Sequence, residues 1–172
     1  MTTRPRNARR LDARDLEILE IVQAQGRISK KALADTIGLS LTPCYQRLQR
    51  LEKEGFISGY RGVLDAQRFG SFLWICTDIT LSRHRAADFT RFENAVKQIP
   101  EVLECDAVGG GIDYVLKLVV RDVNHYQSII DDLLEKDLGV STYFTYVVTR
   151  RVKAATGIPL TALLGAEPIR KR

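Results

Sequence analysis

The order of helical and strand patterns predicts an α+β chain: three helices in front of a βαββαβ unit. Three observations carry this. Apolar residues recur every three to four positions as far as Leu51, and the period switches to two from Phe72. Gly38 separates two short amphipathic helices, the pattern of a helix-turn-helix of the winged type. The net charge of +5 lies wholly in front: residues 1–62 carry 12 Lys and Arg against 7 Asp and Glu, and the remainder carries 14 against 14. The rear βαββαβ order is that of a ferredoxin-like α/β sandwich.

The elements follow in order. Residues 1–10 hold four arginines and no acid, and are expected to form a basic flexible arm able to touch phosphates. Asp12 caps a first helix over 13–25, with Asp15 favourably placed at its positive end. Leu16, Leu19 and either Val22 or Ile18 face inward, and Gly26 ends the helix. Ser29 is a natural N-cap for the second helix, Leu33 and Ile37 form its apolar side, and Ala34 allows a close crossing before Gly38. The third helix is read as starting at Thr42-Pro43, a hydroxyl cap followed by a proline whose missing N–H costs nothing in a first turn. Its inner side is Leu41, Cys44 or Tyr45, Leu48 and Leu51; Gln46, Arg47, Gln49, Arg50 and Lys53 remain outward. Phe56 and Ile57 close the small core, giving a module over 11–57.

Residues 58–71, with Tyr60, Val63 and Leu64 among glycines, read as a linker strand. A strand from Phe72 turns Leu73, Ile75, Thr77, Ile79 and Leu81 one way and Trp74, Cys76, Asp78 and Thr80 the other. Phe89, Phe92, Val96 and Ile99 mark a helix that Pro100 stops. Strands over 102–108 and 114–120 flank the loop Gly109–Asp113, Val123 to Leu134 gives a further helix, and 142–149 gives the last strand. The rear domain thus spans 72–152, with a C-terminal tail over 153–172.

Arginine pairs bidentately with guanine and glutamine with adenine, so a basic second helix with an outward Arg/Gln row suits a DNA major groove. Localised positive charge is what phosphate neutralisation requires. The candidate DNA contacts are Ser29, Lys30, Lys31, Thr42, Pro43, Gln46, Arg47 and Arg50. The competing reading is a plain helical hairpin with a solvated basic face. Two helices cover only one face of a four-stranded sheet, which leaves Trp74 and Cys76 on an open face. Pairing with a second copy would bury it and give a homodimer reading two half-sites; the alternative cover is the tail itself. No apolar run is long enough for a membrane span, and the basic start leads into no apolar signal region. Cys44, Cys76 and Cys105 are too scattered for zinc or a disulfide framework, so a cytoplasmic, nucleoid-associated protein without metal or cofactor is expected.

Several stretches together resemble the Lrp/AsnC family of prokaryotic transcription regulators. They are Leu11-Asp12 with Asp15 and Ile18-Leu19, GRIS at Gly26–Ser29, GLS at Gly38–Ser40, TPC at Thr42–Cys44, RLxRLEKEGFISGY at Arg47–Tyr60, and GxDY at Gly111–Tyr114. The resemblance spans residues 11 to 155 and implies a sensing rear domain, dimers formed through its sheet, and assembly into tetramers or octamers. It also implies an amino acid or a close relative as effector, held near the loop joining the second and third strands. Here that loop is Gly109, Gly110, Gly111, Ile112 and Asp113, whose glycines can offer backbone N–H groups to a carboxylate while Asp113 accepts from an ammonium. Thr145 and Thr149 are the expected polar contacts from the last strand. The chain departs from the family pattern by glycine at 111, usually acidic, and at 109, often serine.

Two alternatives share the fold. One is an enzyme resembling siroheme decarboxylases, which rely on basic and histidine side chains. The other is a DNA-organising protein that ignores metabolites. With only His84 and His125 and no triad, paired-carboxylate or metal-ligand spacing, no catalytic residue is assigned. A non-enzymatic regulator is the expectation.

Overall fold

The computed structural model describes residues 11–155 and 157–164, so the arm over 1–10 and the last residues of the tail lie outside the described residues. The chain forms two compact units. One is continuous over 64–152; the other combines the chain up to Val63 with its return from Lys153.

In the front unit, α1 (Ala13–Ala24) opens with a reciprocal capping box. The Asp15 N–H donates to Asp12 Oδ1 at 2.9 Å, and the Asp12 N–H donates to Asp15 Oδ2 at 3.1 Å. The second helix, α2 (Lys30–Ile37), is capped by Ser29, whose Oγ accepts from the Ala32 N–H at 3.1 Å. Gly38 ends it at φ +67°, a left-handed conformation that favours glycine, and the Leu39 N–H closes back on the Ala34 carbonyl at 3.0 Å. Arg14 of α1 donates to the free Ile37 carbonyl at 2.7 Å, placing a cation at the negative end of α2.

The third helix, α3 (Leu41–Lys53), starts earlier than predicted: Ser40, not Thr42, holds the N-cap position. Pro43 is its third residue, where the N–H would have no intrahelical partner, so proline is still accommodated. Leu41, expected inside, is 52% exposed, because at the first helical position it has no preceding turn to pack against. Ile18, Leu33, Ile37, Cys44 and Leu51 are fully buried between the three helices, with Phe56 and Ile57 packed at the edge.

No strand forms over 58–71. A strand needs a ladder partner, and this segment has none among the described residues: Val63 is 98% and Leu64 75% exposed, and a 3₁₀ turn covers Ala66–Phe69.

The rear unit is a four-stranded antiparallel sheet in the order β2-β3-β1-β4, with β1 (Leu73–Leu81), β2 (Val102–Ala107), β3 (Tyr114–Val120) and β4 (Val140–Val147). Helices α4 (Ala86–Val96) and α5 (Val123–Glu135) follow β1 and β3, which is the ferredoxin-like connection. Ile75, Ile79, Leu116, Leu118, Phe92 and Ile130 form the buried core between sheet and helices. Inside it, the buried Thr77 hydroxyl lies 3.0 Å from Tyr126 Oη, which in turn lies 2.5 Å from Thr145 Oγ1. The last strand begins two residues before the predicted 142 and ends at Val147, which leaves Thr149 outside it.

The tail is the alternative cover for the open sheet face, and residues 156 and 165–172 of it lie outside the described residues. Its described part packs within the front unit as a short helix, α6 (Leu160–Leu164), with Leu160 against the helical core.

Candidate nucleic-acid interface and effector loop

At 3.6 residues per turn, Arg47 lies only about 60° round α3 from Cys44, whereas Gln46 lies about 160° round from it. The structure follows this geometry. Arg47 is drawn to the side of the helix, where its Nη1 pairs with Asp12 Oδ2 at 2.6 Å and Asp15 Oδ1 at 2.8 Å. Arg50 Nη2 reaches the other Asp15 oxygen at 2.5 Å. Asp15 is 1% exposed, so both arginines of the row are fastened to a buried carboxylate. This corrects the expectation of a freely outward Arg47 and Arg50: they tie α3 to the start of α1. A buried carboxylate is costly unless paired and hydrogen-bonded, and here two cations and the Asp12 N–H meet that need. Burial pushes the Asp12 carboxyl up, but the Asp15 backbone N–H and the Arg47 guanidinium outweigh it and hold it below the usual carboxylate range.

Other predicted contacts divide the same way. Ser29 is spent as a helix cap, and Lys30 Nζ sits 3.6 Å above the Tyr45 ring, bridging α2 to α3. Gln49 donates to Tyr45 Oη at 2.9 Å. Lys31, Thr42, Pro43 and Gln46 remain exposed, on α2 and the first turns of α3. Both pairs sit one turn apart, acids at 12 and 15 and arginines at 47 and 50, but that they face each other is visible only in the fold.

At the second site, Gly109, Gly110 and Gly111 are exposed, and Gly110 adopts φ +148°, open to glycine. Asp113 does not offer a free carboxylate. Its Oδ2 accepts from the Leu81 N–H at 2.7 Å, and its Oδ1 lies 3.1 Å from His84 Nε2. The β1–β3 ladder ends at the Ile79–Tyr114 pair, so the Leu81 amide lies beyond it and is taken up by the Asp113 side chain. Thr145 is likewise engaged, bonded to Tyr126 on the helix-covered side of the sheet. Thr149 stands apart. The loop is bonded to β1 at Ile79, through the Asp113 N–H, whereas the Val148 N–H bonds to Trp74 at the other end of that strand. Five steps along β1 separate these ends, about 17 Å of strand, so the loop and Thr149 are not brought together within one protomer. His84, near no recognised motif, is the loop partner that sequence reasoning did not assign.

On the open sheet face, the register aligns Cys76 with Lys117 and Tyr146, and Asp78 with Val115 and Phe144. Phe144 is 57% and Tyr146 53% exposed, and the Arg151 guanidinium lies 3.7 Å over the Trp74 ring.

Comparison with known proteins decides the family. Residues 11–58 match the winged helix-turn-helix DNA-binding family, and residues 75–158 match the Lrp/AsnC ligand binding domain. The transcriptional regulatory protein DoeX of Halomonas elongata is 46% identical over 144 residues, covering 84% of this chain and 91% of that one. The chain belongs to the Lrp/AsnC family of transcription regulators. The leucine-responsive regulatory protein of Escherichia coli is 38% identical over 151 residues, covering 88% of this chain and 92% of its own. A Neisseria meningitidis transcriptional regulator solved with L-Met superposes with a TM-score of 0.82 at 30% identity, covering 89% of this chain and 99% of that one. This Lrp/AsnC chain is therefore a DNA-binding transcription regulator with a ligand-binding rear domain, and not an enzyme. Among the described residues, no helix is long and apolar enough to cross a membrane.

Proposed function

We propose that the chain is a sequence-specific regulator in which Thr42, Pro43 and Gln46 face the bases while Lys31 meets phosphate. Arg47 and Arg50 act indirectly, by fixing the angle of α3. The observation that carries this is the division of the basic helix: its arginines are tied to Asp12 and Asp15, and the side left exposed is the one opposite the core. Two copies pair through the open sheet face, whose exposed Phe144 and Tyr146 favour burial in a homodimer that builds larger assemblies. The effector is an amino acid or a close relative, a reading supported by the L-Met bound to the Neisseria relative. The protein works in the cytoplasm, on the nucleoid.

The glycines at 109–111 and the engaged Asp113 favour backbone recognition of a carboxylate over side-chain recognition of an ammonium. The same features support a second reading, a regulator that acts without effector. Fluorescence anisotropy on genomic duplexes, with and without each amino acid and its keto-acid relative at fixed salt, separates the two. A ligand that shifts DNA affinity or assembly size supports the sensor. Binding that no ligand alters supports the second reading, and absence of duplex binding at low ionic strength refutes both.

A further inference from the structure

The chain passes between its two units twice, once before Leu64 and again near Lys153. The second passage ends in a built attachment on α1. Gln23 uses both ends of its amide on one residue: Nε2 donates to the Ile158 carbonyl at 2.7 Å, and Oε1 accepts from the Ile158 N–H at 2.9 Å. One turn earlier on α1, Glu20 Oε1 accepts from the Thr161 N–H at 3.1 Å and also from the Thr161 hydroxyl. Leu160 supplies an apolar anchor against the helical core. Gly157 fits the Gln23 side chain closely: a Cβ there would stand 2.4 Å from Gln23 Cδ, and φ +150° disfavours any other residue. A polar clamp of two side chains, an apolar plug and a glycine at the point of closest approach together mark a specific docking.

We propose that residues 157–164 act as a second tether, docked on Glu20 and Gln23, that limits how far the front unit turns on its linker and so sets the spacing of paired DNA sites the dimer accepts. This rests on the reading of the chain as a paired-site DNA binder. The physical argument is one of reach. The single linker over 58–72, if alone, would behave as a tether with an r.m.s. span of about 20 Å. That is several base pairs of play at about 3.4 Å each. Fully extended, that linker reaches about 54 Å, whereas a second attachment 11 residues beyond the end of β4 at Val147 reaches only about 40 Å, so it caps the travel of the front unit and closes it into a loop held at both ends. Linked sites gain affinity only through orientations the linkers allow, so two attachments select spacing more sharply than one.

The test uses the full chain with two independent releases: Glu20→Ala with Gln23→Ala on α1, and Leu160→Asp on the tether, which leaves α1 untouched. One readout needs no DNA: fluorescence anisotropy decay of a probe on the front unit. The other is affinity for duplexes with two half-sites at varied separation. In the unaltered protein the segmental motion of the probe is restricted, and affinity falls about tenfold or more when the separation changes by half a helical turn. In both variants a fast segmental component emerges, and the spacing penalty shrinks to about threefold or less while single half-site binding is retained. Unchanged probe motion and an unchanged spacing profile overturn the proposal. Loss of helical content beyond the five residues of α6 in Leu160→Asp also overturns it, since α1 to α3 would then depend on the segment for their fold. If the unaltered chain ignores every duplex, the DNA reading fails, and the probe motion alone still decides the tether.

Discussion

Replacing Asp15 with asparagine removes one negative charge from a site that is 1% exposed and keeps its shape. Asparagine has one carbonyl oxygen where Asp15 Oδ1 and Oδ2 serve Arg47 and Arg50 separately, and its amide turns donors toward a donor. The Asp12 N–H also loses its acceptor in one of the two amide orientations. The arginines are 33% and 42% exposed and find water once released, so the full cost of breaking a buried pair does not apply. Losing the capping reciprocity costs about 1 kcal/mol. Losing two half-exposed charge-assisted bonds adds about 1–2 kcal/mol. The sum of about 2–3 kcal/mol lowers the midpoint of a unit this small by about 10–20 °C. Thermal unfolding followed by far-ultraviolet circular dichroism measures this, because α1, α2 and α3 all lie in the front unit. DNA affinity at a temperature where the variant is folded should also fall, because α3 has lost its brace. A midpoint within about 2 °C of the unaltered protein would refute the claim that the carboxylate organises the module.

Other expectations follow from the same contacts. Tyr126→Phe strips the hydroxyl joining the buried Thr77 to Thr145 and is expected to cost about 1–2 kcal/mol of rear-unit stability in denaturant titration, with DNA binding intact. Lys31→Ala should weaken all duplexes alike and reduce the salt slope by about 1, read from affinity against ionic strength. Asp12 has a folded pKa held below its unfolded value, so its contribution is present above the unfolded value near 3.9 and is lost as pH falls through the lower folded value. Front-unit stability, followed by denaturant titration of the helical signal at stepped pH, should therefore fall below about pH 4, and Asp12→Asn should flatten that limb. Phe144→Asp on the open sheet face should shift sedimentation from dimer toward monomer, since a charge directly in an apolar contact is left unpaired.

Much of this architecture is written in local pattern. The alternation from Leu73 to Leu81 assigns each side chain of β1 to the face it occupies, and Ser29 and Gly38 mark the bounds of α2. Element ends are displaced by a residue or two, at Ser40 and Val140, and the failures at the candidate sites involve partners distant in sequence. Nothing near Arg47 shows that Asp15, 32 residues earlier, holds it, so the sequence alone suggests an outward row where the structure has a brace. Asp113 is read as free because its donors, Leu81 and His84, arrive through strand pairing. The segment over 58–71 has strand composition, but composition cannot supply a ladder partner. The tail offers no period at all, and its attachment to Glu20 and Gln23 is visible only once folded.

The most direct test of the account is a base-preference profile of the unaltered chain beside Gln46→Ala, taken by selection from a randomised duplex pool at fixed salt. Gln46 at the exposed side of α3 predicts that the variant loses preference at one position in each half-site, about 1–3 kcal/mol, with the remaining positions unchanged. A profile identical to that of the unaltered chain would mean that this side of the helix does not read the bases.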